Sequence, residues 1–288
     1  MNPARLARLA RFTRRYLGEK RPLSYRLCKA WLGLVYPRHG RRDSHRLVIE
    51  HDRGLIHVDT ASSIEYAVLF RGVWEPEVAR LLDRLVRPGD VCLDVGASVG
   101  VHALRMAFRV GAGGRVIACE PQPELAERSR ANAALNRLAN LTVVEAAVAE
   151  RDGTATFYTY REGEFARALS GLTPAKGAER AIEVRTASGA GLARELGLDR
   201  LDLVKIDAEG ADAAVISTLD ALIEKHRPTI LFEHREQHWS RLRASIDGVV
   251  TRLRALGYRL YVIADDATAP LDGAVPPSCE LLAIAGRA

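Results

Sequence analysis

The chain has 288 residues, of which 48% are hydrophobic and 27% charged, a composition typical of globular proteins. No apolar run approaches the roughly 18 residues that a membrane-spanning helix needs, and the start lacks the continuous apolar segment of a secretion signal. The four cysteines are scattered and form no C-x-x-C pair, so we expect reduced, mostly buried thiols and a cytoplasmic location.

The net charge of +6 is concentrated at the beginning of the chain. Residues 1–46 contain 13 lysines and arginines against 2 acidic residues, whereas the other 242 residues contain 29 against 34. The first part of this segment predicts a basic amphipathic helix. Two interpretations are open: peripheral contact with an anionic membrane surface, or a lid on the chain's own domain. We therefore divide the chain into a basic N-terminal extension, residues 1–46, and one larger domain, residues 47–288.

The larger domain begins with a predicted hairpin, "RLVIEH" and "GLIHVD", followed by a helix in "WEPEVARLLDRLVRPGD". Apolar strands and helices then alternate. The predicted strands are 91–95, 115–119, 141–147, 201–207, 229–234, 259–264 and 281–284, and the predicted helices are 101–109, 123–137, 211–225 and 246–256. Strands that are apolar throughout are typical of a parallel sheet covered on both faces.

Two segments depart from this alternation. "ATFYTY" and "AIEVRTA" alternate like antiparallel strands, and no helix is predicted between the last two strands of the chain. The ending is therefore hairpin-like, with one antiparallel strand. The pattern predicts an α/β fold: a doubly wound, mostly parallel, seven-stranded Rossmann-like sheet with an antiparallel terminal strand. This outline is typical of class I methyltransferases more than of dinucleotide dehydrogenases.

The segment "VCLDVGASVG" ends a predicted strand on an aspartate and continues into a glycine-spaced turn before a helix. Ligands of open α/β sheets bind at the carboxyl ends of the strands. A turn built for pyrophosphate would avoid a carboxylate because two anions repel, whereas a ligand with an ammonium group favours one. S-adenosylmethionine carries an amine and a sulfonium. We predict that it binds Asp94, Gly96, Ala97 and Gly100.

Two more acids end the next predicted strands. Glu120 is placed to accept hydrogen bonds from both hydroxyls of a ribose, and Glu145 lies at the expected level of the adenine ring. Each acid alone is equally consistent with an exposed loop carboxylate, but three acids on successive strand ends favour a nucleoside site. The D-x-G-x-x-x-G spacing also argues against the G-x-G-x-x-G fingerprint of dehydrogenases.

The segment "LDLVKIDAEGAD" places charged residues at the end of the fourth predicted strand. We predict that Asp207 lies beside the methyl group to be transferred and that Glu209 orients the acceptor or the base. Lys205 is consistent with a role at the site or with a local ion pair. Asp207 and Glu209 are also suitable Mg²⁺ ligands. No third ligand stands at a recognisable spacing, so no metal site is predicted.

The fifth predicted strand, in "TILFEHREQHW", brings His234 to the same edge. Histidine readily accepts a proton near neutral pH, so His234 is an alternative to Asp207 as the general base. A solvent-exposed or helix-capping histidine is the competing interpretation. His238 and Trp239 are candidates for lining the acceptor pocket. Two segments are expected to shape that pocket: residues 161–178 and 235–250.

These motifs, in this order, resemble the FkbM family of S-adenosylmethionine-dependent methyltransferases. The segments that carry the resemblance are "GVWEPEVARLL", "RPGDVCLDVGASVGVHAL", "VIACEPQPE", "NAALNRLANLTVVEAAVAERDG" and "LDLVKIDAEGADAAVI". The resemblance implies that Asp94, Gly96 and Glu120 hold the cofactor and that Asp207 and Glu209 face the reacting centre. It also implies methylation of a hydroxyl on a sugar, a glycolipid or a secondary-metabolite scaffold.

The sequence departs from the family pattern in two places. His102 stands where an aromatic residue is common, and "VRTASGAGL" lacks the aspartate usual before "KIDAEG". The acceptor is expected to be a small molecule or a glycan. Nucleic acid is not expected, because the domain lacks a basic face interleaved with aromatic residues. Two alternatives remain: a cofactor-binding scaffold without activity, and a methyltransferase with a non-hydroxyl acceptor.

Overall fold

The computed structural model describes residues 46–159, 171–172, 180–241, 244–264 and 267–286. The predicted helix of the N-terminal extension and most of the predicted loop 161–178 lie outside the described residues. The chain divides into a first unit, residues 1–76 and 160–168, and a second unit, residues 77–159 and 169–288. Within the part of the chain that is described, no helix combines the length and the apolar character needed to cross a bilayer.

The described part of the first unit is a hairpin followed by a helix. Strand β1 (Arg46–His51) pairs antiparallel with β2 (Gly54–Asp59), which confirms the predicted hairpin. Helix α1 (Ser63–Arg71) begins after Ser62, whose side chain accepts a hydrogen bond from the backbone N–H of Glu65. This cap satisfies one of the N–H groups that a helix leaves without a partner at its start.

The second unit contains eleven of the described strands and eight of the described helices. The strands are β3 (Val91–Val95), β4 (Arg115–Cys119), β5 (Leu141–Val144), β6 (Ala147–Val148), β7 (Gly153–Thr159), β8 (Arg180–Ala187), β9 (Leu203–Ile206), β10 (Thr229–Arg235), β11 (Tyr258–Ala264), β12 (Ala267–Pro270) and β13 (Ser278–Ala285). The helices are α2 (Pro76–Leu85, which begins one residue before this unit), α3 (Val101–Val110), α4 (Pro123–Leu135), α5 (Gly189–Leu196), α6 (Asp212–Thr218), α7 (Asp220–His226), α8 (Glu236–Arg241) and α9 (Ile246–Ala255).

Eight strands form one sheet in the order β12-β11-β13-β10-β9-β3-β4-β5. The neighbours from β10 to β5 are parallel, and β13 is antiparallel to both β10 and β11. Seven of these strands, in this order and with β13 reversed, form the predicted class I methyltransferase sheet. The eighth, β12, was not predicted: it is short and exposed, and it ends on a proline, as suits an edge strand.

The core of the second unit explains why the central strands of the large sheet are mostly apolar. Side chains of the central strands, such as Leu93, Ile117, Val204 and Ile230, are fully buried. Cys92 and Cys119 are also buried within strands, as predicted. Because helices cover both faces of a parallel sheet, most side chains on either face are apolar. The ligand site is therefore expected at the carboxyl edge of the sheet.

A second, three-stranded sheet has the order β6-β8-β7. Strands β7 and β8 pair antiparallel along their length, which confirms the interpretation of "ATFYTY" and "AIEVRTA". The predicted strand 141–147 is wrong in its extent. A hydrogen bond from the N–H of Ala146 to the carbonyl of Val144 turns the chain at Glu145, and β6 then pairs with β8 in the second sheet.

The predicted single helix over residues 211–225 is also wrong, because two helices, α6 and α7, meet at Leu219. The start of α5 packs directly onto this break. The side-chain hydroxyl of Thr218 accepts a hydrogen bond from the N–H of Gly189 at 3.0 Å. A Cβ atom at Gly189 would lie 2.3 Å from the carbonyl oxygen of Thr218, so the contact requires glycine.

Candidate active site

The glycine turn after β3 joins three strand ends. The N–H groups of Gly96 and Ala97 both donate to the carbonyl oxygen of Cys119, at the end of β4. Gly96 has a φ of +78°. A Cβ atom there would lie 1.9 Å from the carbonyl oxygen of Asp207, which follows β9. Only glycine allows the turn to approach β9 this closely, so the predicted cofactor turn also fixes the position of Asp207.

Gly100 brings the start of α3 against α4. It has a φ of +85°, and a Cβ atom at this position would lie 2.5 Å from the hydroxyl oxygen of Ser129, which is fully buried. A side chain would therefore push the two helices apart and strain the backbone. Gly100 acts on packing, and through it on the shape of the turn that precedes α3.

Glu120 lies at the end of β4 and is 4% exposed. Its two carboxylate oxygens accept hydrogen bonds from the backbone N–H of Ser98, at 2.8 Å, and of Gln122, at 2.9 Å. Burial raises the pKa of Glu120 to about 7, and these two hydrogen bonds partly offset the effect. Each carboxylate oxygen can accept more than one hydrogen bond. Glu120 is thus fixed in orientation while keeping the chemistry needed to accept ribose hydroxyls.

Lys205 lies between two acids that the sequence assigned to different tasks. Its ammonium nitrogen is 3.3 Å from a carboxylate oxygen of Asp207 and 3.9 Å from one of Asp94. Asp94 and Lys205 are direct neighbours in the β3–β9 register. Lys205 is 5% exposed and Asp94 1% exposed. The lysine therefore connects the cofactor edge of the sheet to the predicted reacting centre.

His102, in α3, is buried near the same lysine. Burial, followed by the positive charge of Lys205, lowers the pKa of His102 to about 3. The imidazole is therefore neutral at physiological pH. A neutral, buried ring fits the packing role that the family pattern gives to an aromatic residue at this position.

The loop between β9 and α6 has a strained geometry. Glu209 has a φ of +51° and Gly210 a φ of +98°, both in the left-handed region. The side chain of Asp212, which is fully buried, accepts hydrogen bonds from the N–H groups of Ala208, at 3.2 Å, and Gly210, at 3.0 Å. The sequence interpretation gave Asp212 no role. No local signal indicates this role, because Asp212 accepts hydrogen bonds from N–H groups of the loop before the helix and does not cap the helix itself.

A cavity of about 450 Å³ opens beside this loop. Its wall combines the loop, the three-stranded sheet and the region after β10. The lining residues are Val148, Ala149, Glu150, Arg151, Thr154, Ala155, Gly171, Leu172, Thr186, Ala208, Glu209, Gly210, Ala211, Ala214, His238 and Ala244. The two segments expected to shape the pocket each contribute, through Gly171 and Leu172 in one and through His238 and Ala244 in the other.

The cavity has a second charged wall that the sequence did not indicate. Glu150 and Arg151 lie at the turn between β6 and β7. They line the same cavity as Glu209, although they are far from it in the sequence. Nothing in the local pattern distinguishes them from ordinary turn residues. Their contribution depends on how the three-stranded sheet meets the carboxyl edge of the large one.

Two predicted residues lie elsewhere than the cavity. Trp239 is 2% exposed and belongs to the core, so the prediction that it lines the pocket is wrong for this cavity, whereas His238 does line it. His234 is 3% exposed, and its ring meets the ring of Trp239 edge-on, with centroids 5.0 Å apart. Burial lowers the pKa of His234.

Glu145 lies at the end of β5, on the strand predicted to reach the adenine level. Its carboxylate is 3.0 Å from the guanidinium of Arg130, and its side chain is 40% exposed. Arg130 belongs to α4, whose start follows Glu120. Glu145 thus lies on the same edge of the sheet as Asp94 and Glu120. Its contact with the adenine ring stays a prediction.

Comparison with known proteins identifies the family. The family model described as the methyltransferase FkbM domain matches residues 94–260, more than half of the chain. The chain belongs to the methyltransferase FkbM family. The family supports S-adenosylmethionine as the cofactor, and the matched region begins at Asp94 itself.

A curated relative of this FkbM methyltransferase is protein-L-isoaspartate O-methyltransferase 2 of Archaeoglobus fulgidus. The two are 38% identical over 89 residues, which make up 30% of this chain. The match covers 39% of the relative, so the chain spans about two fifths of the length of the curated relative it matches.

Solved structures with a similar chain path include the following three. An FkbM methyltransferase from Methylobacillus flagellatus is 15% identical, with a TM-score of 0.43, and the match covers 75% of this chain and 53% of that one. An S-adenosylmethionine-dependent O-methyltransferase from Thermotoga maritima is 15% identical, with a TM-score of 0.40 and coverage of 84% and 78%. Fibrillarin from Aeropyrum pernix, solved with natively bound S-adenosyl-L-methionine, is 12% identical, with a TM-score of 0.42 and coverage of 86% and 87%.

The residues at the edge of the FkbM domain fit this cofactor. Asp94 supplies a carboxylate for an ammonium group, Glu120 supplies acceptors for a pair of hydroxyls, and Gly96 keeps the turn free of side-chain atoms. The end of β3 and the end of β4 thus carry groups complementary to the donors and acceptors of the cofactor.

Proposed function

We propose that the chain is an O-methyltransferase that transfers a methyl group to a hydroxyl of a sugar, a glycolipid or a secondary-metabolite scaffold. The observation that carries the proposal is the cavity of about 450 Å³, whose lining includes Ala208, the residue after Asp207. A drug-sized or monosaccharide-sized acceptor fits a cavity of this volume. Its hydroxyl would then lie at the strand end where the cofactor edge and the cavity meet.

The reaction requires alignment and a proton acceptor. S-adenosylmethionine, when bound, supplies the methyl group, whose bond to sulfur breaks as the bond to the acceptor oxygen forms. The chain has to hold the acceptor oxygen in line with that bond. Since an alcohol is a weak nucleophile, its proton must pass to a base as the new bond forms.

Asp207 is the base that the geometry supports. Its side chain is 26% exposed, it immediately precedes the cavity lining, and Lys205 orients its carboxylate. The competing base, His234, is covered by Trp239 and is not among the residues that line the cavity. Glu209 and His238 line the cavity and are placed to orient the acceptor.

Two alternatives remain distinct from this proposal. A cofactor-binding scaffold without activity would not need Asp207, Glu209 and Lys205 to be held together at one edge. A methyltransferase for a nitrogen or carboxylate acceptor would need the same cofactor edge but another cavity lining. The name of the curated relative, an O-methyltransferase, supports oxygen as the accepting atom.

Calorimetric titration with S-adenosylhomocysteine tests the cofactor edge. We expect the wild type to bind it, Asp94→Asn to bind at least about tenfold more weakly because a charged hydrogen-bond partner is lost, and Asp207→Asn to bind as the wild type does. Equal binding by Asp94→Asn would contradict the assignment of the cofactor edge.

A transfer assay with methyl-labelled cofactor tests the acceptor class. Methyl glycosides, purified glycolipids and polyhydroxylated aromatic compounds serve as acceptors, and mass spectrometry locates the label. We expect a methyl ether as the product, lost in Asp207→Asn. Label on nitrogen, or no transfer at all by a protein that binds S-adenosylhomocysteine, would favour one of the two alternatives.

A further inference from the structure

Three side chains of the kinds that can bind a metal ion lie close together beside the cavity, and two of them, Glu209 and His238, line it. Glu209 follows β9, Glu233 lies in β10, and His238 lies in α8, and each offers a ligand atom within 4.8 Å of the other two. Nδ1 of His238 is 3.6 Å from a carboxylate oxygen of Glu209. Because the three residues come from three separate elements, no sequence spacing reveals them.

The dimensions are close to those of a bound cation. Nitrogen and oxygen ligands at about 2.0–2.2 Å from one metal ion lie roughly 3–4 Å from each other. A contraction of up to about one ångström between the ligand atoms would close the site, which side-chain rotation can supply. Gly210 allows the loop that carries Glu209 to approach α8 closely, because a Cβ atom there would lie 2.8 Å from the Cβ of His238.

The electrostatic surroundings favour a cation. Asp207 and Asp212 belong to the same loop as Glu209, so four carboxylates gather here, including Glu233. Lys205 pairs with Asp207, and Arg235 lies 2.7 Å from an oxygen of Glu233, so two positive charges offset part of the total. The remaining negative charge, at the edge of a partly enclosed cavity, attracts positive ions.

We propose that Glu209, Glu233 and His238 bind one divalent transition-metal cation of the Mn²⁺ type at the wall of the acceptor cavity. Imidazole as a ligand favours transition metals over Mg²⁺ and Ca²⁺, which take oxygen ligands. This inference rests on the proposed function: the cation would bind the acceptor hydroxyl and lower the pKa of that hydroxyl. Acceptors with two neighbouring hydroxyls, which can both reach one cation, are the expected substrate class.

Titration of the full-length, chelator-treated protein with Mn²⁺ alone, followed by electron paramagnetic resonance of free Mn²⁺, tests the site. We expect one Mn²⁺ per chain, with affinity at least about tenfold weaker in Glu209→Gln and in His238→Gln. Glu195→Gln serves as the matched control, because Glu195 is an acid of α5 that pairs with Arg185 away from the cavity. Its affinity should equal that of the wild type.

Two outcomes would overturn the cation site: no Mn²⁺ bound by the wild type, or equal affinity in all four proteins. Calorimetry with S-adenosylhomocysteine, in the absence of metal, distinguishes this failure from failure of the proposed function. Unchanged binding of S-adenosylhomocysteine by the variants shows that they are folded. Methyl transfer that continues without Mn²⁺ binding would leave the proposed function standing and remove the metal.

Discussion

Glu120 is an acid that the fold buries and then surrounds with backbone donors. The N–H groups of Ser98 and Gln122 bind its carboxylate, yet burial dominates and raises its pKa to about 7. An ordinary glutamate has a pKa near 4.5. The folded chain therefore holds a proton at Glu120 in a pH range in which the unfolded chain has lost it.

This difference gives a signed prediction for stability. Between about pH 4.5 and pH 7, the folded state binds more protons at Glu120 than the unfolded state does, so the free energy of unfolding falls as pH rises. In the absence of cofactor, the free energy of unfolding of Glu120→Gln should fall less steeply over this pH range than that of the wild type. The difference between the two proteins should change progressively up to pH 7 and then level off. Denaturant unfolding at several pH values measures it. A constant difference between the two proteins across this range would contradict the prediction.

Glycine is required at position 96 for two reasons: the positive φ of the backbone and the close approach of another strand. Comparison with Gly89, where only the first reason applies, separates the two effects. Both residues have a positive φ, but a Cβ atom at Gly89 would meet no atom within 4 Å, whereas one at Gly96 would lie 1.9 Å from the carbonyl oxygen of Asp207. Gly89→Ala should lower the free energy of unfolding by about 1–2 kcal/mol through backbone strain. Gly96→Ala should lower it by about 1–3 kcal/mol more, and should also weaken binding of S-adenosylhomocysteine. Equal losses of stability would show that close contact is unimportant.

At the scale of elements, strand β13 is paired on both of its sides within the large sheet. It is the last strand of the chain, yet it lies inside the sheet and pairs antiparallel with β10 on one side and β11 on the other. Its central residue Leu281 stands opposite Phe232 and Val262 and is fully buried. The strand therefore joins the edge strands to the parallel centre, and the sheet depends on its packing.

Replacement of Leu281 tests this dependence. Leu281→Ala should lower the free energy of unfolding by about 2–5 kcal/mol, because burial is lost and a cavity remains between two strands. Leu55→Ala is the matched control: Leu55 lies in β2 and is 38% exposed. Leu55→Ala should change the free energy of unfolding by no more than about 0.5 kcal/mol. Chemical denaturation measures both, and similar losses would mean that β13 is not critical for stability.

At the scale of the whole molecule, charge separates the beginning of the chain from the rest. The extension carries 13 of the 42 lysines and arginines and 2 of the 36 acidic residues. Its two interpretations, membrane contact and lid, differ in what they require. A membrane contact depends on arginine charge and on anionic lipid, and weakens with salt. A lid requires neither lipid nor low salt.

Vesicle pelleting separates the two interpretations. On the membrane interpretation, the full chain pellets with phosphatidylserine vesicles at low salt, and the triple variant Arg8→Glu, Arg11→Glu, Arg15→Glu stays in the supernatant. Phosphatidylcholine vesicles are the control for charge. On the lid interpretation neither protein pellets, and binding of S-adenosylhomocysteine changes instead. Calorimetry on the same two proteins measures that change.

Local pattern was enough to predict that three acids lie at the same edge of the sheet. The parallel strands β3, β4 and β9 are recognisable because each is mostly apolar and is followed by a glycine or an acidic residue. The rule that ligands bind at carboxyl ends then places Asp94, Glu120 and Asp207 on one edge without any knowledge of distances. The spacing of the glycines determines the turn, since its requirement for positive φ is a property of the backbone alone.

The sequence by itself therefore determined the fold class, the cofactor and the acids that end the strands, because each depends on residues close together in the chain or on a general rule of sheet topology. Only the tertiary structure decided that Asp212 supports the Glu209 loop, that His238 lines the cavity while its neighbour Trp239 enters the core, and that Glu233 approaches both Glu209 and His238. Such contacts depend on the direction of individual side chains across separate elements. Neither hydrophobic periodicity nor spacing encodes that direction.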